Sequence, residues 1–224
     1  MANKKTSNSN TKKKNSGKAN PKLAEFKEDR YEIRLSGAGG QGLITAGVIL
    51  ADAIAVGDAR NAAQTQSYGP EARGGHTRCD VIVSDGEISF PEAIELDLLL
   101  SLTQDAVDVY IPLLKTCGLL IIDADAVKRK PDRAYVEASF TQAAKETLGS
   151  TIATNIVSLG FISEYNHIVS KKSLEAAVVS NFPEKFAKKN LDALKLGYSL
   201  AKEAKRQSHS NTCVDDFATE IDRT

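Results

Sequence analysis

Two stretches of this chain carry residue types whose spacing could do chemistry. The first is Gly37-Ala38-Gly39-Gly40-Gln41-Gly42. It follows an apolar run, Tyr31–Ser36, with the character of a strand, and precedes Leu43–Ala55, which is apolar nearly all round. Strand, glycine turn and helix in that order bring backbone amides to a point. Glycines let the chain turn tightly and approach another group closely. The helix start adds unpaired N–H groups and the positive end of its dipole, a setting that suits phosphate. The spacing satisfies G-x-G-x-x-G in the right context. A complete dinucleotide site also needs an acid at the end of the second strand for the ribose hydroxyls. Ala62–Ser67 offers none there, and Asp58 falls before the strand. No Gly-Lys-Ser/Thr follows, so the loop is not a P-loop. Gly37, Gly39, Gly40, Gln41 and Gly42 are therefore candidates for a phosphate contact, or for a tight turn that seats a helix or a partner chain.

The second stretch runs from Gln64 to His76 and holds Gly69, Gly74, Gly75 and Pro70. A loop so dense in special residues has a set conformation and a role. It should leave the sheet on the same carboxyl edge as the glycine turn, where open α/β sheets bind ligands. His76 has the ordinary pKa of a general base, but no Ser or Cys sits with it in an activating motif, so no catalytic residue is assigned. Arg73 suits an anion or a partner's carboxylate through its planar fork, and Glu71 can pair with it locally. Tyr68, Gly69, Pro70, Glu71, Arg73, Gly74 and Gly75 are expected at a chain interface.

The elements that must position these loops alternate in type. Asn61–Thr65 and Thr77–Ser84 have strand character, the latter rich in β-branched residues. Leu96–Leu102 and Gly118–Asp123 are continuous apolar runs, as in strands buried on both faces. A helix from Thr103 to about Leu114 joins them, with Thr103 as its cap. Ala134–Ala138 is a further strand, and helical patterns follow near 140–148, 155–165, 171–180 and 184–205. The expectation is a single α/β domain of Rossmann-like, three-layer α/β/α form, with a mostly parallel sheet and helices on both faces. It should span residues 23–204, between a polar leader over 1–22 and a polar tail over 205–224.

Composition narrows the function classes. The formal net charge is zero. Yet residues 1–30 carry Lys4, Lys5, Lys12, Lys13, Lys14, Lys18, Lys22, Lys27 and Arg30 against Glu25, Glu28 and Asp29, leaving an acidic body. That body, with no Trp and no basic face interleaved with aromatics, argues against nucleic-acid binding. No apolar stretch reaches the roughly 18 residues that would span a membrane, and the lysine-rich start is not a secretory signal; a cytoplasmic location is expected. Cys79, Cys117 and Cys213 are far apart, so no metal or iron–sulfur site is expected from this chain alone.

Together, Gly37–Gly42 and Ser67–Gly75 resemble the gamma subunit of 2-oxoacid:ferredoxin oxidoreductases. That family has Gly-x-Gly-Gly-Gln-Gly followed by Ser-Tyr-Gly-Pro-Glu-x-Arg-Gly-Gly. Ser84-Asp85 with Pro91, the helix start Thr154–Gly160, and Asn190, Ala193, Gly197 and Tyr198 continue the similarity over roughly residues 31–200. The run Leu43–Ala51 looks most like the 2-oxoglutarate branch; pyruvate and branched-chain members are similar. The resemblance implies a complex that decarboxylates a 2-oxoacid on thiamine diphosphate with magnesium, passes electrons through iron–sulfur clusters to ferredoxin, and transfers the acyl group to coenzyme A. It places those cofactors on alpha and beta chains, and on a delta chain where one exists. This chain then holds no cofactor itself, braces the catalytic chains and shapes the coenzyme A site through its glycine loop. The alternative is a nucleotide-binding regulatory or dehydrogenase module built on that loop.

Overall fold

Strand β1 (Arg30–Ala38) sets the pattern for the sheet. Ile33 and Leu35 are fully buried on one face, while Glu32, Arg34 and Ser36 are buried on the other. The period of two expected of a strand is there, but neither face meets water. This computed structural model describes residues 30–68 and 76–207. The leader, the loop residues 69–75 and the chain after 207 lie outside the described residues.

Among the described residues, six strands form one sheet in the order β2-β3-β1-β4-β5-β6. They are β2 (Asn61–Tyr68), β3 (His76–Ser84), β4 (Leu96–Ser101), β5 (Leu114–Asp123) and the short β6 (Val136–Ala138), besides β1. β1 pairs in parallel with β4, β4 with β5 and β5 with β6. The sheet is mostly parallel in strand direction, with one reversal. β3 runs antiparallel between β1 and β2, in unbroken register with each. The strand that follows the first helix is thus displaced to the sheet's edge, because β3 returns directly beside β1.

The helices are unevenly shared. α1 (Leu43–Asp52), α3 (Phe140–Leu148), α4 (Thr154–Asn166), α5 (Lys171–Asn181) and α6 (Glu184–Gln207) build one large core on the Ile33/Leu35 face. Among the described residues, the opposite face has only α2 (Gln104–Tyr110) and its 3-10 extension Ile111–Leu113, over Leu99, Leu120 and Ile122. Thr103 caps α2, accepting from the Ala106 amide at 3.3 Å, as its sequence position indicated. Where β1 and β3 lack a helix, the irregular segment 85–95 crosses them, held by side chains from alternate positions of β1. Arg30 donates to the Phe90 and Glu92 carbonyls, Glu32 accepts from the Ile94 and Glu95 amides, and Arg34 donates to the Ala93 carbonyl. Arg34 also forks onto Asp80 of β3 at 2.7 Å with both partners buried. Its guanidinium lies 4.9 Å from the Tyr110 ring centre.

α1 does not run as one α-helix to Ala55. It widens into a π-helical turn over Ala53–Gly57, and Asp58 then accepts from the Ser170 amide and the Ser173 hydroxyl, fastening the turn to the start of α5. α4 is buried at every position from Thr154 to Ser163, the profile of a helix enclosed on all sides. It lies against α6 at a crossing made of glycines. A β-carbon on Gly197 would stand 2.7 Å from the Phe161 amide nitrogen and closer still to the Val157 carbonyl oxygen. α6 continues helically through Lys205–Gln207, where a polar tail was expected to begin. Lys205 Nζ donates to the Glu164 carbonyl at 2.7 Å, and this contact with the end of α4 anchors the last turn.

Candidate functional site

β1 and β4 run parallel, and the helices that follow them, α1 and α2, lie on opposite faces of the sheet. Their carboxyl ends therefore open at a switch point, the place where open α/β sheets hold ligands. At its floor the buried hydroxyls of Ser36 and Ser101 sit 2.9 Å apart, and Ser36 donates to the Leu100 carbonyl.

The glycine loop forms one wall. Gly37 is buried and ends against Leu102; a β-carbon there would fall 3.3 Å from Leu102 Cβ and closer to Gln41 Oε1. Gly39 and Gly40 are exposed, Gln41 and Gly42 half-buried. Gly40 has φ 89° and Gly42 φ 71°, left-handed conformations that favour glycine. Gln41 turns back and accepts the Ala38 amide at 2.7 Å. Gly42 caps α1: the helix's first bond is Ala46 N–H to the Gly42 carbonyl, 3.0 Å. The amides of Leu43, Ile44 and Thr45 thus have no intrahelical acceptor, and the first turn of α1 carries no acid. That arrangement suits an anionic oxygen at the helix start.

It does not suit a dinucleotide. The Gln41 side-chain amide folds back over Gly37, the first glycine of the turn. The strand after α1 is not the neighbour of β1, and its end bears no acid. Asp58, the nearest carboxylate, is committed to Ser170 and Ser173.

The second loop leaves β2 at Tyr68 and returns at His76, and His76 pairs with Ala38 across β1 and β3. Its two ends therefore stand at the same sheet edge as the glycine loop, as its position in the sequence indicated. Gly69, Pro70, Glu71, Arg73, Gly74 and Gly75 lie outside the described residues, and of Tyr68 only the strand position is described.

One residue absent from the candidate set completes the wall. Asn155, at the start of α4, donates from Nδ2 to the Gly42 carbonyl at 2.9 Å, and its Oδ1 accepts the Ile156 amide. It is buried, 113 positions away in the chain. A β-carbon on Gly42 would meet Asn155 Nδ2 at 2.6 Å, so glycine is needed here for close approach as well as for φ. The sequence signal was an Asn at a helix start, which reads as a cap and discloses nothing about the distant carbonyl. Glu32, Arg34 and Ser36 were missed as well, although their period of two within an apolar strand is a legible sign of a second buried face.

Among the described residues, no activated nucleophile accompanies the glycine loop. Cys79 lies behind α1, accepts from Gln64 Nε2 at 3.0 Å, and burial pushes its thiol up to about 11. It stays protonated at neutral pH and behaves as a small apolar group. Among the described residues, no three of His, Cys, Asp and Glu come together in a metal-binding group, and no helix is long and apolar enough to cross a membrane.

Residues 32–200 match the family described as pyruvate ferredoxin/flavodoxin oxidoreductase. The chain belongs to that family. The match covers the sheet and its helices, both loops and Asn155. Among relatives, the 2-oxoglutarate synthase subunit KorC of Methanocaldococcus jannaschii is 45% identical over 178 residues, 78% of this chain and 95% of the relative. A solved gamma subunit of a keto/oxoacid ferredoxin oxidoreductase from Geobacter sulfurreducens is 44% identical with TM-score 0.72, covering 78% of this chain and 98% of that one. The 2-oxoglutarate:ferredoxin oxidoreductase of Magnetococcus marinus, solved with 2-oxoglutarate, coenzyme A and succinyl-CoA bound, has TM-score 0.70 at 24% identity. There the likeness covers 79% of this chain and 32% of a longer one, and shows a shared fold.

Proposed function

We propose that this chain is the gamma subunit of a multisubunit 2-oxoacid:ferredoxin oxidoreductase of the 2-oxoglutarate branch. The observation that carries this reading is the 45% identity extending over 95% of a 2-oxoglutarate synthase subunit. The complex oxidatively decarboxylates 2-oxoglutarate to its acyl-coenzyme A product and reduces ferredoxin. Alpha and beta partner chains, with a delta chain where present, hold thiamine diphosphate, magnesium and the iron–sulfur clusters in the cytoplasm.

Within that complex the chain contributes a shaped edge and no reacting group. The glycine loop, held by Gln41 and Asn155, presents the amides of Leu43–Thr45 to a phosphate of coenzyme A. Support for this comes from the left-handed glycines, the helix start with no side-chain cap and the absence of acid in its first turn. The loop Tyr68–Gly75, with Arg73 and Glu71, meets a catalytic chain at the same edge.

The test is capture of the tagged chain from its native extract under anoxic conditions. Partners are identified by mass, and the eluate is assayed for coenzyme A-dependent viologen reduction with 2-oxoglutarate, pyruvate and 2-oxoisovalerate. Alpha- and beta-sized partners with preferential 2-oxoglutarate turnover are expected. Turnover of pyruvate alone would move the chain to another branch, and capture without such partners would overturn the reading.

A further inference from the structure

The segment 85–95, which crosses β1 and β3 where no helix covers them, is pinned through its backbone. Arg30 donates to the Phe90 and Glu92 carbonyls, Glu32 accepts from the Ile94 and Glu95 amides, and Thr65 donates to the Pro91 carbonyl. The side chains left outside are of two kinds. Phe90 is 50% and Ile94 62% exposed. Around them Glu87, Glu92 and Glu95 are exposed too, and among the described residues no ion pair reaches any of the three. The segment contains no lysine or arginine. Exposed apolar side chains among unpaired carboxylates fit a ligand that is itself apolar and basic.

This chain supplies such a ligand at the same place. The described residues start at Arg30, whose guanidinium grips the strap, so residues 1–29 enter the fold within one arginine side chain of Phe90 and Glu92. They hold Lys12–Lys14, Lys18, Lys22 and Lys27 among their bases, against Glu25, Glu28 and Asp29, with Leu23 and Phe26 seven and four positions before Arg30. Seven residues reach up to about 25 Å, and Phe90 and Ile94, four positions apart, are separated by no more than about 14 Å. The tether gives the contact an effective concentration on the order of millimolar, which neither a second copy nor a separate subunit has in the isolated chain. The loops assigned to a catalytic chain leave the sheet by Ala38, at the other end of β1 and roughly 26 Å from Arg30. The strap therefore lies away from that interface.

We infer that residues 12–29 of this same chain dock on the strap: Leu23 and Phe26 cover Phe90 and Ile94, and the lysines around them pair with Glu87, Glu92 and Glu95. The leader is a tethered cover for the sparse face of the sheet, and any protein using that face must displace it. The inference does not depend on which oxoacid the complex uses.

The test uses the full chain, alone and in the native complex, and a carbodiimide that joins a lysine amine directly to a carboxylate it touches. Peptide mapping should find Lys18, Lys22 or Lys27 joined to Glu87, Glu92 or Glu95 in both samples. When isotopically light and heavy chains are mixed, both halves of each joined peptide should carry the same label. Phe90→Ser with Ile94→Ser, at exposed positions, removes the burial of two large side chains, so the coupling rate should fall at least about fivefold with an unchanged melting temperature. Leu23→Ser with Phe26→Ser should do the same, and salt raised to about 0.5 M should slow coupling severalfold, because exposed pairs are screened. No such product from the full chain would overturn the inference. So would products that join different labels, coupling of these glutamates to another subunit in the complex, or a rate that neither pair of substitutions alters.

Discussion

Replacing Gly197 by alanine tests how the fold positions the glycine loop, because its sign discriminates. Glycine inside an exposed helix costs roughly 1 kcal/mol relative to alanine, so the substitution stabilises a helix with free space around it. Here the new β-carbon would stand 2.7 Å from the Phe161 amide nitrogen and 3.0 Å from the Gly160 carbonyl carbon, all backbone atoms of α4. No side chain can swing aside. α6 must lift off α4 by about 1 Å, and a gap of 0.5–1 Å forfeits roughly a quarter to a half of each dispersion contact. Overpacking of this kind costs about 1–3 kcal/mol, and with no rotamer change to relieve it the upper end of that range applies. After the propensity gain a net loss of about 2 kcal/mol is expected, a fall of roughly 4–8 °C in melting temperature for a chain of this size. Circular dichroism melts of the full chain, with exposed Ser199→Ala on the same helix as control, measure it. Gly197→Ala at or above the parent's melting temperature would refute the crossing, and with it the placement of Asn155 against Gly42.

Three further outcomes follow from named contacts. Asn155→Ala removes the bond to Gly42, but Ala46 still satisfies that carbonyl, so a loss of about 1 kcal/mol is expected; in the assembled enzyme the KM for coenzyme A should rise while that for the oxoacid holds, and an unchanged KM for coenzyme A would remove the loop from its path. His167 ends α4 with φ 60°, and burial, then Lys205, lowers its pKa from the usual 6.5. The folded ring binds its proton less readily than the unfolded one, so stability is unaffected well above pH 6.5 and falls on acidification below it; His167→Asn, which tolerates the same backbone, should flatten denaturation midpoints between pH 7 and 5, and an unaltered slope would exclude this residue. Cys117 is exposed and Cys79 buried with its thiol pushed up to about 11, so maleimide at pH 7 should modify Cys117 and reach Cys79 only in denaturant; equal rates would contradict the packing of Cys79 behind α1.

Much of the architecture was legible because it rests on local patterns. The apolar runs Leu96–Leu102 and Gly118–Asp123 could be little else than buried strands, and β4 and the carboxyl half of β5 are buried. Thr103 marked a helix start, and its cap is made within three residues. The glycine loop was recognisable because tight turns need glycine whatever surrounds them, and Gly40 and Gly42 take the conformations that demand it. The extent of α1 was less clear, since the π-helical turn depends on Asp58 reaching α5 across 112 positions and more.

By itself, the sequence determined the order of elements, the two loops at one edge and the family, because periodicity, turn residues and motif spacing are written along the chain. Tertiary structure alone decided where β3 inserts, and so moved β2 to the edge. It decided that Gln41 folds over Gly37, that Asn155 holds Gly42, and that Arg34 and Asp80 are buried together. The physical reason is common to all of these. Each depends on which distant backbone or side chain fills a given volume, and close packing fixes that only once all the layers are in place.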